Sequence, residues 1–133
     1  MARKNPSEAQ VLVIGDAHDS PSLPDKSRFR WIAKYASTHN IPYIRSVGDW
    51  ATFDSCSQYE SRATVSGRSK PSFEEDMVSL EASILAFLSE FTKGYRPNLG
   101  ITLGNHENRV KQWENENPEV EGLVYNRVIQ LWS

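Results

Sequence analysis

The sequence predicts an α/β fold built on a mostly parallel sheet with flanking helices, and three observations carry that expectation. Three short apolar runs each end in a glycine followed at once by a polar residue, and they read as strands. Segments with apolar residues at helical spacing fall between them. The resulting β-α-β-α-β order requires crossover connections, which set consecutive strands side by side and parallel.

The first run, Val11-Leu12-Val13-Ile14, ends at Gly15-Asp16. Its continuous apolar, β-branched character suits a strand buried on both faces. From Arg28 to His39, Phe29, Ile32, Ala33 and Ala36 recur at helical spacing. The second strand runs from Ile41 to Val47 and ends at Gly48-Asp49, with Pro42 near its start, where a missing N–H is tolerated. Ser55 to Pro71 is polar and reads as a loop, a candidate substrate-side loop because it follows a strand end bearing a ligand-type residue.

Ser72-Phe73-Glu74-Glu75 is a capping-box pattern that opens the longest helix. Phe73, Met77, Leu80, Ile84, Leu88 and Phe91 form one apolar stripe, read as packing alone, and Gly94 fits the helix end. The third strand, Leu99 to Leu103, ends at Gly104-Asn105. A last helix is expected over 120–132, with Val120, Leu123, Val124, Val128 and Leu131 on one stripe.

A chain of 133 residues with 38% hydrophobic and 24% charged residues fits a single folded domain spanning 1–133. The net charge of −2 gives no global positive field, so nucleic acid is not expected as a strong partner, although it can be a substrate. Cys56 is the sole cysteine, which rules out an internal disulfide and Cys-rich zinc modules. No apolar run is long enough for a signal segment or a membrane span, so no membrane partner is expected and a cytoplasmic location is the default expectation. Neither Gly-x-Gly-x-x-Gly nor a P-loop is present, which disfavours a nucleotide-binding α/β protein.

In open parallel sheets, sites form at the carboxyl ends of the strands. That rule places Asp16, His18, Asp49 and Asn105 on one rim, with His106 beside them. This is a hard, mixed oxygen and nitrogen donor set, suited to Mn²⁺, Fe or Zn²⁺. A lone Gly-Asp is ordinarily a turn, and His39 beside Asn40 reads as a surface residue. The weight lies in the repetition of one arrangement at three separate strand ends.

Gly15-Asp16-Ala17-His18, Gly48-Asp49 and Gly104-Asn105-His106-Glu107 resemble the first three signature blocks of the metallophosphoesterase (calcineurin-like phosphoesterase) superfamily. The likeness is closest to the phage and bacterial type, which continues Gly-Asp with Trp as Gly48-Asp49-Trp50 does, and it extends from Val11 to about Arg109. The resemblance implies the N-terminal half of an α-β-β-α sandwich. It implies a metal-dependent phosphoesterase that hydrolyses phosphate mono- or diesters with hydroxide activated by a dinuclear metal centre. The cofactors would be two divalent metal ions, Mn foremost, with Fe, Zn or Ni as others. Asp16 and His18 would bind the first metal, Asp49 would bridge both, and Asn105 would bind the second and also contact substrate. His106 would act on substrate as the catalytic group, Glu107 would anchor its loop, and Arg109 is a candidate phosphate contact.

Two departures accompany the resemblance. Many members place a second aspartate three residues after the bridging one to orient the catalytic histidine, whereas this chain has Thr52 there and Asp54 nearby. Asp54 is the candidate replacement. The arginine that follows in protein Ser/Thr phosphatases is also absent, since Asp54 leads to Ser55-Cys56. The second departure is larger. No histidine follows His106, so the family's later blocks, a lone histidine and a Gly-His-x-His pair, are missing from this chain. The expectation is an N-terminal portion that needs a complementary C-terminal chain or self-association. The competing reading is a non-catalytic remnant acting as a binding or assembly module.

Overall fold

The computed structural model describes residues 10–57, 70–120 and 122–131. Its elements are β1 (Val11–Ile14), α1 (Ser27–Thr38), β2 (Tyr43–Ser46), α2 (Phe73–Ser89), β3 (Asn98–Ile101), α3 (Asn105–Glu116) and α4 (Val124–Leu131). Short 3₁₀ turns occupy Asp54–Cys56 and Pro118–Val120. Among the described residues the chain is mixed α/β, with a three-stranded sheet in the order β1-β2-β3 and both pairings parallel. Ile14 pairs with Ser46, and Ser46 with Ile101, so the three carboxyl ends lie level at one edge. The Gly-Asp and Gly-Asn pairs follow at that edge.

Alternation sends Leu12, Ile14, Ile44, Ser46, Leu99 and Ile101 to one sheet face. There Ile14 and Ile44 join a core with Phe29, Ala33 and Ala36 of α1 and Met77, Leu80 and Phe87 of α2. The expectation of burial on both faces is not met among the described residues, because Val11 and Val13 are 51% and 59% exposed. The physical reason is that α1 and α2 pack against each other and feed the same core.

The capping box at α2 forms in both directions, with Glu75 N donating to Ser72 Oγ and Ser72 N donating to Glu75 Oε2. The buried face of α2 differs from the apolar stripe. Leu88 is largely exposed, whereas Asp76, Ser79 and Ser83 are buried. These polar residues point inward because the core supplies partners for them. Trp50 Nε1, for example, donates 2.9 Å to Ser83 Oγ. The helix also stops at Ser89, well before Gly94, whose φ of +88° serves the turn beyond.

The last helix is shorter than its apolar stripe suggests. Gly122, at φ +78°, separates the turn at Pro118–Val120 from α4 and breaks the helical phase between them. Leu123 is therefore exposed while Val128 is fully buried. Of the loop expected over 55–71, Ser55 and Cys56 sit buried in a 3₁₀ turn, and residues 58–69 lie outside the described residues. Among the described residues, no helix is long and apolar enough to cross a membrane.

Candidate metal centre

The rim is built from backbone that ordinary residues seldom adopt. Asp16, His18 and Asp49 have φ of +30°, +51° and +53°. Left-handed conformations at non-glycine residues carry strain and collect at functional sites. Two glycines then let the β2 loop and the start of α3 meet. A Cβ on Gly48, itself at φ +107°, would fall 2.9 Å from Gly104 Cα. A Cβ on Gly104 would fall 2.3 Å from Asp49 Oδ1 and 2.6 Å from Asp49 N. No side chain fits at either place.

Glu107 holds this contact together. It is 1% exposed, yet its carboxylate is well supplied with donors. Oε2 accepts from Asp49 N at 3.0 Å and Gly104 N at 2.9 Å. Oε1 accepts from Trp50 N at 2.7 Å and Ala51 N at 3.4 Å. One buried charge thereby satisfies orphan amides at a helix start and in a strained loop at once. The β1 loop is tied to the same segment. His18 N donates to Asp49 O, Asp19 N to Trp50 O, and Thr52 N to Asp19 O.

These ties bring His18, Asp49 and His106 together. One ligand atom from each lies within 4.8 Å of the others, and all three side chains are half-buried. The His18 and His106 ring centroids are 4.6 Å apart. His106 N donates to Asp49 Oδ1 at 2.8 Å, which fixes the carboxylate against the first turn of α3. His106 Nδ1 lies 3.1 Å from the Thr52 carbonyl oxygen. A carbonyl only accepts, so Nδ1 carries the proton and Nε2 keeps its lone pair in the neutral ring. A ring nitrogen held this way by a backbone carbonyl is the usual companion of metal-site histidines. Two imidazoles and a carboxylate form a donor set that can hold a divalent metal ion.

The other expected residues take different places. Asp16 and Asn105 lie at the same edge with exposed side chains, and Asp16 stands outside the three-residue cluster. Asp54 is directed to Arg109, whose Nη1 lies 3.5 Å from Asp54 Oδ1. The group on His106 Nδ1 is the Thr52 carbonyl rather than Asp54. Arg109 Nη1 also donates 3.0 Å to Thr52 O. Arg109 thus braces the loop beside His106.

Sequence reasoning missed a buried polar group behind the rim. Asp19 is 1% exposed and ion-paired to Lys26, and it accepts from Ser79 Oγ at 2.8 Å. Lys26 Nζ also donates to Ser79 Oγ and to Leu23 O. Ser79 is 60 positions from Asp19, so no local pattern marks the contact. Nearby, Asp76 accepts from Ser55 N at 3.0 Å. Burial pushes the Asp76 carboxyl above its usual range, the Ser55 hydrogen bonds oppose this, and the charges of Asp54 and Asp19 add to the rise.

No protein-family model matches the chain, and no curated protein or solved structure matches it either. The functional reading therefore rests on the residues of the site.

Proposed function

We propose that the chain is a metal-dependent phosphoesterase, acting on phosphate mono- or diesters at the carboxyl edge of its parallel sheet. The observation that carries this reading is the convergence of His18, Asp49 and His106 within 4.8 Å, from the loops after β1 and β2 and from the first turn of α3, which follows β3. The finer reading is a dinuclear centre of the metallophosphoesterase kind. In it Asp16 and His18 would hold one cation, Asn105 the other, and Asp49 would serve both, with Mn²⁺ foremost. When bound, such cations neutralise phosphate oxygens and acidify water at neutral pH.

The chain's own residues supply the rest. Asp49, held by His106 N at Oδ1, is pre-oriented and needs little rearrangement to present its carboxylate. In this dinuclear reading His106 stands outside the ligand set: with its Nδ1 proton on Thr52 O, Nε2 faces the substrate and, when protonated, can hand a proton to a leaving oxygen. Glu107 carries no role at the substrate, because both its oxygens are occupied by main-chain amides.

The test is Mn²⁺ binding by calorimetry, together with hydrolysis of an aryl phosphodiester. Hydrolysis is assayed with the chain alone and with the chain mixed with a segment bearing a Gly-His-x-His pair. Metal-dependent turnover in either arm, lost in Asp49→Ala, supports the reading. Absence of both metal binding and turnover in both arms overturns it.

A further inference from the structure

The buried Asp19–Lys26–Ser79 group joins the rim through Asp19, the residue after His18, and it has no part in the chemistry proposed above. Each of its members is fully used. Lys26 Nζ reaches Asp19 Oδ1, Leu23 O and Ser79 Oγ, which accounts for all three ammonium donors. Asp19 Oδ2 accepts from Ser79 Oγ. Buried charges are tolerated when paired and hydrogen-bonded in this way, and removing one partner leaves the other exposed to the full desolvation cost.

The location gives the group its meaning. Asp19 is the residue after His18, and its backbone forms an isolated parallel bridge with Ala51. Through that bridge Asp19 N donates to Trp50 O at 2.6 Å and Asp19 O accepts from Thr52 N at 2.9 Å. The segment Asp49–Thr52 is thus gripped from two sides. Glu107 holds its amides from α3, and the Asp19 backbone holds it from the β1 loop. Thr52 O in turn meets His106 Nδ1. Asp19 side-chain contacts to Lys26, just before α1, and to Ser79 of α2 therefore tie the segment that carries His18 and grips Asp49–Thr52 to the helices.

We infer that Asp19, pinned by Lys26 and Ser79, is a positioning residue for the metal centre. It fixes the spacing of His18, Asp49 and His106 without touching the ion. This inference rests on the metal-binding reading of the three-residue cluster. It predicts a change in affinity and in coordination geometry, because outer-shell partners of metal ligands typically govern affinity by about 10- to 100-fold.

The experiment compares the full chain with Asp19→Asn, Ser79→Ala and, as a control away from the site, Ala33→Gly. Ala33 is buried within α1 and glycine weakens the helix without altering the rim. Mn²⁺ affinity is measured by calorimetry, coordination by the visible spectrum of the Co²⁺-loaded protein, and stability by thermal unfolding. Asp19→Asn should bind Mn²⁺ about 10-fold or more weakly with an altered Co²⁺ spectrum. Ser79→Ala should shift both in the same direction to a smaller extent, and it decides the matter if Asp19→Asn does not fold. Ala33→Gly should lose thermal stability and keep affinity and spectrum. Unchanged affinity in both site variants, or an equal loss in Ala33→Gly, overturns the inference while leaving the metal site standing. Failure of the unsubstituted chain to bind Mn²⁺ or Co²⁺ overturns the metal site itself and this inference with it.

Discussion

The main-chain N–H of His106 donates 2.8 Å to Asp49 Oδ1, which joins the first turn of α3 to the loop after β2 beside the amides that Glu107 holds. The donor is a helix-start amide with no intrahelical partner, and the acceptor is a charged oxygen, which makes the bond stronger than a neutral one. It also turns the carboxylate toward the two imidazoles. Asp49 and His106 are 57 positions apart, and the strand order alone makes them neighbours.

Glu107 should matter more to folding than any other residue at the rim. Glu107→Ala would strand the amides of Asp49, Trp50, Ala51 and Gly104 in a buried place. Each unsatisfied buried donor costs about 1–3 kcal/mol, reduced where water enters. Destabilisation of roughly 3 kcal/mol or more is expected from urea unfolding. A loss under about 1 kcal/mol would show that the amides find other partners.

Gly104→Ala tests the close approach of the two loops. The new methyl would fall 2.3 Å from Asp49 Oδ1, so either the carboxylate or the helix start must move. Overpacking of this kind costs about 1–3 kcal/mol. Because the displaced atom belongs to the cluster, Mn²⁺ affinity should fall along with stability. Wild-type affinity measured by calorimetry in Gly104→Ala would mean that the site tolerates a shifted Asp49.

His106 and Asp54 should separate in their effects. In an active preparation, His106→Ala should reduce turnover by about 10²–10⁴-fold, the range of general acid catalysis, with a smaller loss of metal affinity. Asp54 pairs with Arg109 at the surface and the Thr52 carbonyl occupies His106 Nδ1. Asp54→Asn should therefore keep turnover within a few-fold of wild type. A loss in Asp54→Asn as large as that in His106→Ala would return the orienting role to Asp54.

Asp76 should make stability depend on pH in a defined direction. Burial holds its folded-state pKa above the usual 3.8, so the folded chain binds the proton more tightly than the unfolded chain. The stabilisation by that proton is fully present below 3.8 and is lost as pH rises through the higher folded value. Asp76→Asn imitates the protonated carboxyl and can still accept from Ser55 N. Its stability relative to wild type should increase as pH is raised from about 3.5 to 7. Urea midpoints that differ by the same amount throughout that range would refute the assignment to Asp76.

The sequence by itself determined the β-α-β-α-β order (though not the helix α3 after it), the capping box at Ser72 and the edge on which Asp16, His18, Asp49 and Asn105 stand. These are legible because apolar periodicity, glycine turns and caps act over a few residues, and a parallel order leaves only one edge for the strand ends. The same local reasoning misjudged the inner face of α2. Ser79 and Ser83 are buried for partners, Asp19 and Trp50, that no nearby residue announces. Only the tertiary structure decided that Asp19, Lys26 and Ser79 form one buried group, that Glu107 collects four amides, and that Thr52 O meets His106. A buried charge must find its donors wherever folding delivers them, and that delivery depends on how distant loops pack rather than on any spacing along the chain.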